Sequence, residues 1–227
     1  MPPAAKGCRR RSPTPPNLGC VSEPRRNRVD PWGRLIAVPD RGAWMGNRGQ
    51  LHDDEGRIRR EHQLERWITC VLEFKGRRRQ VMSPGLYTEL FFLDEATSFA
   101  AGHRPCAECR RADYNVFREA WAEGRHLGET PRAPVMDAQL QGERLASGEK
   151  VTFEASVSEL PDGVFAVGVG GRDDRAPHLL RGGRWHAWTP GGYADGGPAA
   201  GADRVRVLTP SSTVAAFAAG YEPQIGT

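Results

Sequence analysis

Two cysteines separated by two residues, Cys106 and Cys109, lie inside the run Ser98-Phe99-Ala100-Ala101-Gly102-His103-Arg104-Pro105-Cys106-Ala107-Glu108-Cys109-Arg110-Arg111. This spacing lets two sulfurs from one tight turn reach the same ion, and structural zinc sites reuse it because thiolates suit zinc's tetrahedral preference. The flanks leave the backbone little choice. Asp94 is expected to cap a short alanine-rich helix running through Ala101, Gly102 suits the left-handed conformation that ends a helix, and Pro105 prevents continuation. The same spacing also serves thiol exchange, but redox pairs place the nucleophile at the start of a helix after a strand. Here a helix precedes the motif, so Zn2+ is the expected cofactor, and two further ligands must come from elsewhere.

Cys70 is the third candidate ligand, being the only other thiol outside the first 28 residues. It falls in Trp67-Ile68-Thr69-Cys70-Val71-Leu72-Glu73-Phe74, which with Lys75-Gly76 and Arg77-Arg78-Arg79-Gln80-Val81-Met82 predicts a β-hairpin over Arg66 to Met82. Alternation puts Ile68, Cys70, Leu72 and Phe74 on one face, so a buried, unreactive core cysteine is the competing reading. His52 is the fourth candidate, because Asp53, Asp54 and Glu55 beside it could orient an imidazole. A solvated loop histidine is its alternative. His62 and His103 are reserves, with His103 read first as a packing residue.

Net charge is +4 and the sequence pI is about 9.0, values that suggest nucleic acid until the charges are located. Residues 1–28 hold seven Lys/Arg against one Glu, so this Pro- and Arg-rich stretch carries +6 and the rest of the chain −2. A segment of that composition buries too little to offset its ordering entropy and is expected to be a disordered basic tail. Cys8 and Cys20 fall in it at a separation that matches no metal knuckle. Five cysteines without an apolar leader argue against a secreted disulfide framework and for a cytoplasmic protein. No apolar run approaches the ~20 residues of a spanning helix, so no membrane association is expected.

The expected fold is α+β: a zinc-knuckle domain with a hairpin and helices over 29–148, then a small antiparallel β-rich domain over 149–227. Leu35 to Val38 and Leu86 to Phe92 are strand candidates. Tyr114, Phe117 and Trp121 at i, i+3 and i+7 predict an amphipathic helix over Ala112 to Glu123, stopped by Gly124. Another is expected over Met136 to Ala146. Short β-like pieces then span Val151 to Val169, Pro177 to Trp188 and Val205 to Leu208, with a loop over Asp195 to Asp203. Thr209-Pro210-Ser211 opens a last helix that Gly220 closes.

The run Phe91-Phe92-Leu93-Asp94-Glu95-Ala96-Thr97-Ser98-Phe99-Ala100-Ala101-Gly102-His103-Arg104-Pro105-Cys106-Ala107-Glu108-Cys109 resembles the end of the Ada-type metal-binding domain of methyl-phosphotriester DNA repair proteins. That resemblance, confined to Phe91–Asp113, implies that Cys106 and Cys109 are the second pair of a four-thiolate zinc site. It also implies DNA as partner and a place in DNA repair. The family's first cysteine pair, which includes the methyl acceptor, precedes its Phe-Phe pair. This chain has Lys75 and Arg79 there and no thiol, so the methyl-transfer chemistry does not carry over.

Arg77, Arg78, Arg79, Arg104, Arg110 and Arg111 would form a phosphate-binding surface if hairpin and knuckle adjoin, with Trp67 and Tyr87 near enough to stack on bases. A solvated edge strand is the alternative for Arg77 to Arg79. Two other functions compete with a nucleic-acid-contacting zinc protein. One is a metal-dependent nuclease or phosphodiesterase using His52, Asp53, Asp54 and Glu55. The other is a structural zinc module for protein interaction.

Overall fold

Glycine and proline punctuation breaks the chain into short strands, which the structure, a computed structural model, assembles into two six-stranded sheets. It describes residues 23–77, 80–171, 175–200 and 204–226. The first sheet comprises β1 (Arg26–Val29), β2 (Leu35–Ala37), β3 (Trp44–Asn47), β4 (Ile68–Cys70), β5 (Leu90–Phe92) and β6 (Arg104–Pro105). They lie in the order β2-β1-β5-β3-β4-β6, with β1–β5 and β4–β6 parallel. Leu90 and Phe92 alternate into the core, and at Gly46 a Cβ would come within 2.3 Å of the Phe92 ring. Only glycine fits there.

Helix α1 (Glu95–Ala100) joins β5 to β6 as its caps require: the Asp94 carboxylate accepts from Thr97 N at 2.8 Å, and Gly102 takes φ 92°. After the knuckle come α2 (Arg111–Gly124) and α3 (Ala133–Arg144). Tyr114, Phe117 and Trp121 are buried, the face their spacing predicts. Helix α3 stops at Arg144, short of the expected Ala146. Ser147 and Gly148, both at positive φ, instead form a two-residue turn between β7 (Leu145–Ala146) and β8 (Glu149–Lys150).

The second sheet holds β9 (Phe153–Ser156), β10 (Phe165–Val167), β11 (His178–Arg181), β12 (Arg184–Thr189), β13 (Gly192–Pro198) and β14 (Arg204–Val207). Every pairing in the order β13-β12-β11-β10-β14-β9 is antiparallel, as expected of this region. Residues Asp195 to Pro198, expected in a loop, form the edge strand β13, where Asp195 pairs with Arg184 of β12 at 2.7 Å. Helix α4 (Ser211–Ala218) follows Pro210 and ends before Gly220 at φ 97°.

Three expectations need correction. The tail read over residues 1–28 is too long: Arg26, Asn27 and Arg28 belong to β1, where Asn27 is buried and donates to the Glu89 carbonyl, and the Arg28 guanidinium lies 4.8 Å from the Phe91 ring. Residues 1–22, with Cys8 and Cys20, lie outside the described residues.

Among the described residues, the hairpin expected over Arg66 to Met82 lacks its second strand. Strand β4 ends at Cys70 because its neighbours end there: Cys70 pairs with Met45 near the start of β3, and β6 is two residues long before the knuckle turns away. Lys75 and Gly76 do turn, at φ 53° and 64°, but Leu72, placed inward by alternation, is 50% exposed.

The division at 148/149 does not separate two cores. Phe99, Phe117, Trp121, Met136 and Leu140 pack in one cluster with Val157, Val164, Val205, Phe217 and Tyr221 from beyond it. Phe99 stacks on Phe117 at 5.1 Å and meets Phe217 edge-on at 5.3 Å. The knuckle therefore sits on a core built from both halves. Among the described residues no helix is long and apolar enough to cross a membrane.

Candidate metal centre

Local bonds deliver the knuckle to the end of β4. Arg104 N donates to Trp67 O and Cys106 N to Thr69 O, at 3.1 and 2.9 Å, so Cys106 is laid beside Cys70. The turn closes through Arg110 N to Cys106 O, 3.1 Å, and Glu108 N points at Cys106 Sγ, 3.4 Å. Beneath it, Thr69 Oγ1 donates to Ser98 Oγ at 2.8 Å, tying β4 to α1.

The sulfurs of Cys70, Cys106 and Cys109 all lie within 4.8 Å of one another. Two Zn–S bonds of ~2.3 Å at a tetrahedral angle separate their sulfurs by about 3.8 Å, so the three thiols are placed to share one ion. Cys70 and Cys106 are buried and Cys109 is partly exposed. Proximity also sets their protonation. The Cys70 thiol donates to its neighbours and is held far above its ordinary pKa, chiefly by those hydrogen bonds. Cys106 is pushed down, first by the Cys70 S–H, then by the backbone N–H groups of Cys109 and Glu108 against the cost of burial. Cys109 is lowered by Cys70 as well, with help from Val71 N–H. Cys106 and Cys109 are thus shifted toward thiolate, the form that binds metal, at the expense of Cys70, which is held as the thiol.

Helix α2 begins two residues after Cys109, so the pair has helices on both sides and the helix-order argument against redox chemistry does not hold. What favours metal over a redox pair is the third thiol. Cys70 is a poor candidate for an inert core cysteine, because its sulfur faces the other two and not the apolar clusters.

His52 is not in this group. Its ring is buried, with Nδ1 2.6 Å from Thr88 Oγ1 and Nε2 3.3 Å from the Ser83 carbonyl. The acidic residues beside it make a turn: the Asp53 carboxylate accepts from the backbone N–H of Glu55 and Arg57 and pairs with the Arg57 and Arg59 guanidiniums at 2.9 and 2.7 Å. Those bonds hold Asp53 well below the usual carboxylate range despite the opposing cost of desolvation. Glu55 pairs with Arg57, and no metal-competent grouping includes these residues among those described. Of the cluster expected to support a nuclease, His52, Asp53 and Glu55 are thus committed to bonds that close the loop, and Asp54 is exposed.

The expected basic surface is also rearranged. Arg104 is buried and bidentate to Asp137, Nε to Oδ1 and Nη2 to Oδ2 both at 2.8 Å. Arg110 is buried against Glu95 and Asp113, with its guanidinium 4.1 Å from the Trp44 ring. Neither can reach a phosphate, because each is consumed in fixing the knuckle to its surroundings. Trp67, expected as a base-stacking ring, is buried under Arg48 and Arg144, whose guanidiniums lie 3.8 and 4.4 Å from it. Arg77 and Arg111 are exposed, and Arg77 reaches the knuckle through Glu108 at 2.9 Å. Arg78 and Arg79 lie outside the described residues.

His103 packs, as read, between Phe92 at 4.7 Å and Trp67 at 5.2 Å. Arg48 Nε donates to its Nε2 at 3.2 Å, and burial, reinforced by Arg48 and Arg144, keeps the ring neutral. The sequence did not point to the buried Arg48 and Arg144 and the half-buried Lys150 that gather here. Only the Ser147-Gly148 turn signal, which sets Lys150 on β8, was available to point at them. The chain matches no family model, no curated protein and no solved structure.

Proposed function

We propose that the protein binds a zinc ion through Cys70, Cys106 and Cys109, and that this ion ties the end of β4 to the turn before α2. The observation that carries the reading is the convergence of the three sulfurs within 4.8 Å from positions as far apart as 70 and 106. Three soft thiolates, two of them with lowered pKa, favour zinc over hard cations that prefer oxygen. The ion would close a long loop, and its binding free energy would add to folding stability. The Ada-type resemblance of Phe91–Asp113 supports the same use of Cys106 and Cys109.

Metal analysis of purified protein tests this directly. Stoichiometric zinc is expected, lost in Cys106→Ser and in Cys70→Ser, with chelation lowering the thermal midpoint. A full zinc complement in both variants would overturn the reading.

Contact with nucleic acid, DNA by the resemblance, is a second reading. Arg77 supports it, being exposed and joined to the knuckle through Glu108, and so does exposed Arg111. It predicts DNA affinity that falls steeply with salt, with the log–log slope reduced by about 1 for each arginine removed. Affinity indifferent to salt would leave zinc binding without nucleic-acid contact. A role in DNA repair would follow only from the resemblance.

A further inference from the structure

Cys70 and Glu73 stand at the same separation as Cys106 and Cys109, with two residues between the members of each pair and a carboxylate in place of the last thiol. The segment after Cys70 is drawn to the knuckle: the Val71 N–H bonds Cys109 Sγ, and the chain bends at Leu72. Glu73 lines the cleft onto which the three thiols open. It is exposed, and among the described residues its carboxylate has no hydrogen-bond or ion-pair partner. The other carboxylates nearby are in use. Glu108 pairs with Arg77, Asp113 with Arg110, and Glu89 accepts from Met82 N at 2.8 Å. Among the described residues no histidine lines the cleft.

Resting on the zinc reading above, we propose that Glu73 is the fourth protein ligand, its carboxylate closing the site that Cys70, Cys106 and Cys109 begin. Structural zinc sites are tetrahedral and closed by four protein ligands, and a Glu oxygen binds zinc at ~2.0–2.2 Å. Glu73 is not in the group whose ligand atoms lie within 4.8 Å of one another, so metal binding must draw its side chain inward. Nothing opposes that movement, because no partner has to be given up. Three thiolates and a carboxylate leave the centre with an excess of negative charge, and the exposed Arg66 and Lys75 in the same cleft lower its cost.

Cobalt substitution of the full chain separates the outcomes, because its visible bands report coordination number and its charge-transfer band counts sulfurs. The native chain should give a tetrahedral spectrum with three sulfurs. Glu73→Gln should weaken cobalt binding by about 10-fold, through loss of one ligand of four, and Glu73→Cys should restore the affinity and add a fourth sulfur to the band. Glu108→Gln, which removes a carboxylate equally close in sequence, should change neither affinity nor spectrum. Native affinity with an unchanged spectrum in Glu73→Gln would overturn the proposal, as would a Glu73→Cys spectrum that stays at three sulfurs. So would a four-sulfur spectrum in the native chain, which would put Cys8 or Cys20 in the fourth position. Failure of the native chain to bind cobalt would instead refute the zinc reading on which the proposal stands.

Discussion

Two pairs of buried arginines end on different partners. Arg104 and Arg110, beside the thiols, meet carboxylates: Asp137 for one, Glu95 and Asp113 for the other. Arg48 and Arg144, around Trp67, meet backbone carbonyls: Gly33 for one, Gly102, Glu65 and Asp137 for the other. Among the described residues Arg48 Nη2 and Arg144 Nε have no hydrogen-bond partner, whereas Arg110 Nη1 and Nη2, also without one by geometry, stand in ion pairs with Glu95 and Asp113. Lys150 joins the second group, its ammonium on the Ala100 carbonyl at the end of α1 while its stem reaches in from a largely exposed hairpin. The charge-paired arginines hold the knuckle in place. Lys150 on the Ala100 carbonyl and Arg144 on that of Gly102 finish the C-terminal end of α1, where backbone carbonyls lack helical partners, but these cations and Arg48 repel one another.

That repulsion appears in their protonation. Burial, then the neighbouring arginines, lower Lys150 to about 7, while burial lowers Arg48 to about 9 and Arg144 to about 10. Arg110, by contrast, is raised, its two carboxylates outweighing the cost of burial. Burial of a guanidinium therefore has opposite consequences at Arg110 and at Arg48 and Arg144. The sign depends on whether an anion was buried with the cation.

The largest effect should come from breaking a compensated pair. Asp137→Ala would strand Arg104 and cost about 3–5 kcal/mol in denaturant unfolding, the usual result of leaving one buried charge alone. A loss as small as that of a surface pair would show that Arg104 finds water, and the contrast between the two regions would fail.

The second test is pH. Unfolded Lys150 stays protonated to about 10.5 and the folded form loses its proton near 7, so between these values the unfolded chain binds more protons. Stability therefore rises with pH across that window, by at most about 1.4 kcal/mol per unit, and is flat in this group below it. Cysteines of the unfolded chain titrate at about 8.5, inside that window, so the measurement is the difference in slope between the native chain and Lys150→Met. Equal slopes would place Lys150 outside the cluster's influence.

The smallest effect is expected at the surface. Arg77→Ala removes an ion pair whose two side chains are both more than half exposed, and should change stability by less than about 1 kcal/mol. Loss of zinc together with that pair would instead make Arg77 part of the support of the metal centre.

Local chemistry was readable before any fold was known. Asp94, Gly102 and Pro105 mark both ends of α1, and Tyr114, Phe117 and Trp121 mark the inner face of α2. Such signals depend on residues within one or two turns of each other. The hairpin over Arg66 to Met82 failed for the complementary reason: alternation says which faces a strand would have, but not where its neighbours stop. The tail boundary failed likewise, because composition cannot show that Asn27 and Arg28 find partners at Glu89 and Phe91.

The sequence by itself determined that a two-thiol knuckle would follow a capped helix, that an amphipathic helix would come after it, and that the C-terminal third would be antiparallel β. Only the tertiary structure decided that Cys70 is the third thiol, that Arg104 and Arg110 are internal while Arg77 is outside, and that His52 serves Thr88. Caps, turns and periodicity act between near neighbours, and so are written in contiguous residues. Which sulfur meets which, and which cation meets an anion, depends on strand pairing between positions tens of residues apart, where β4 and β6 happen to end together.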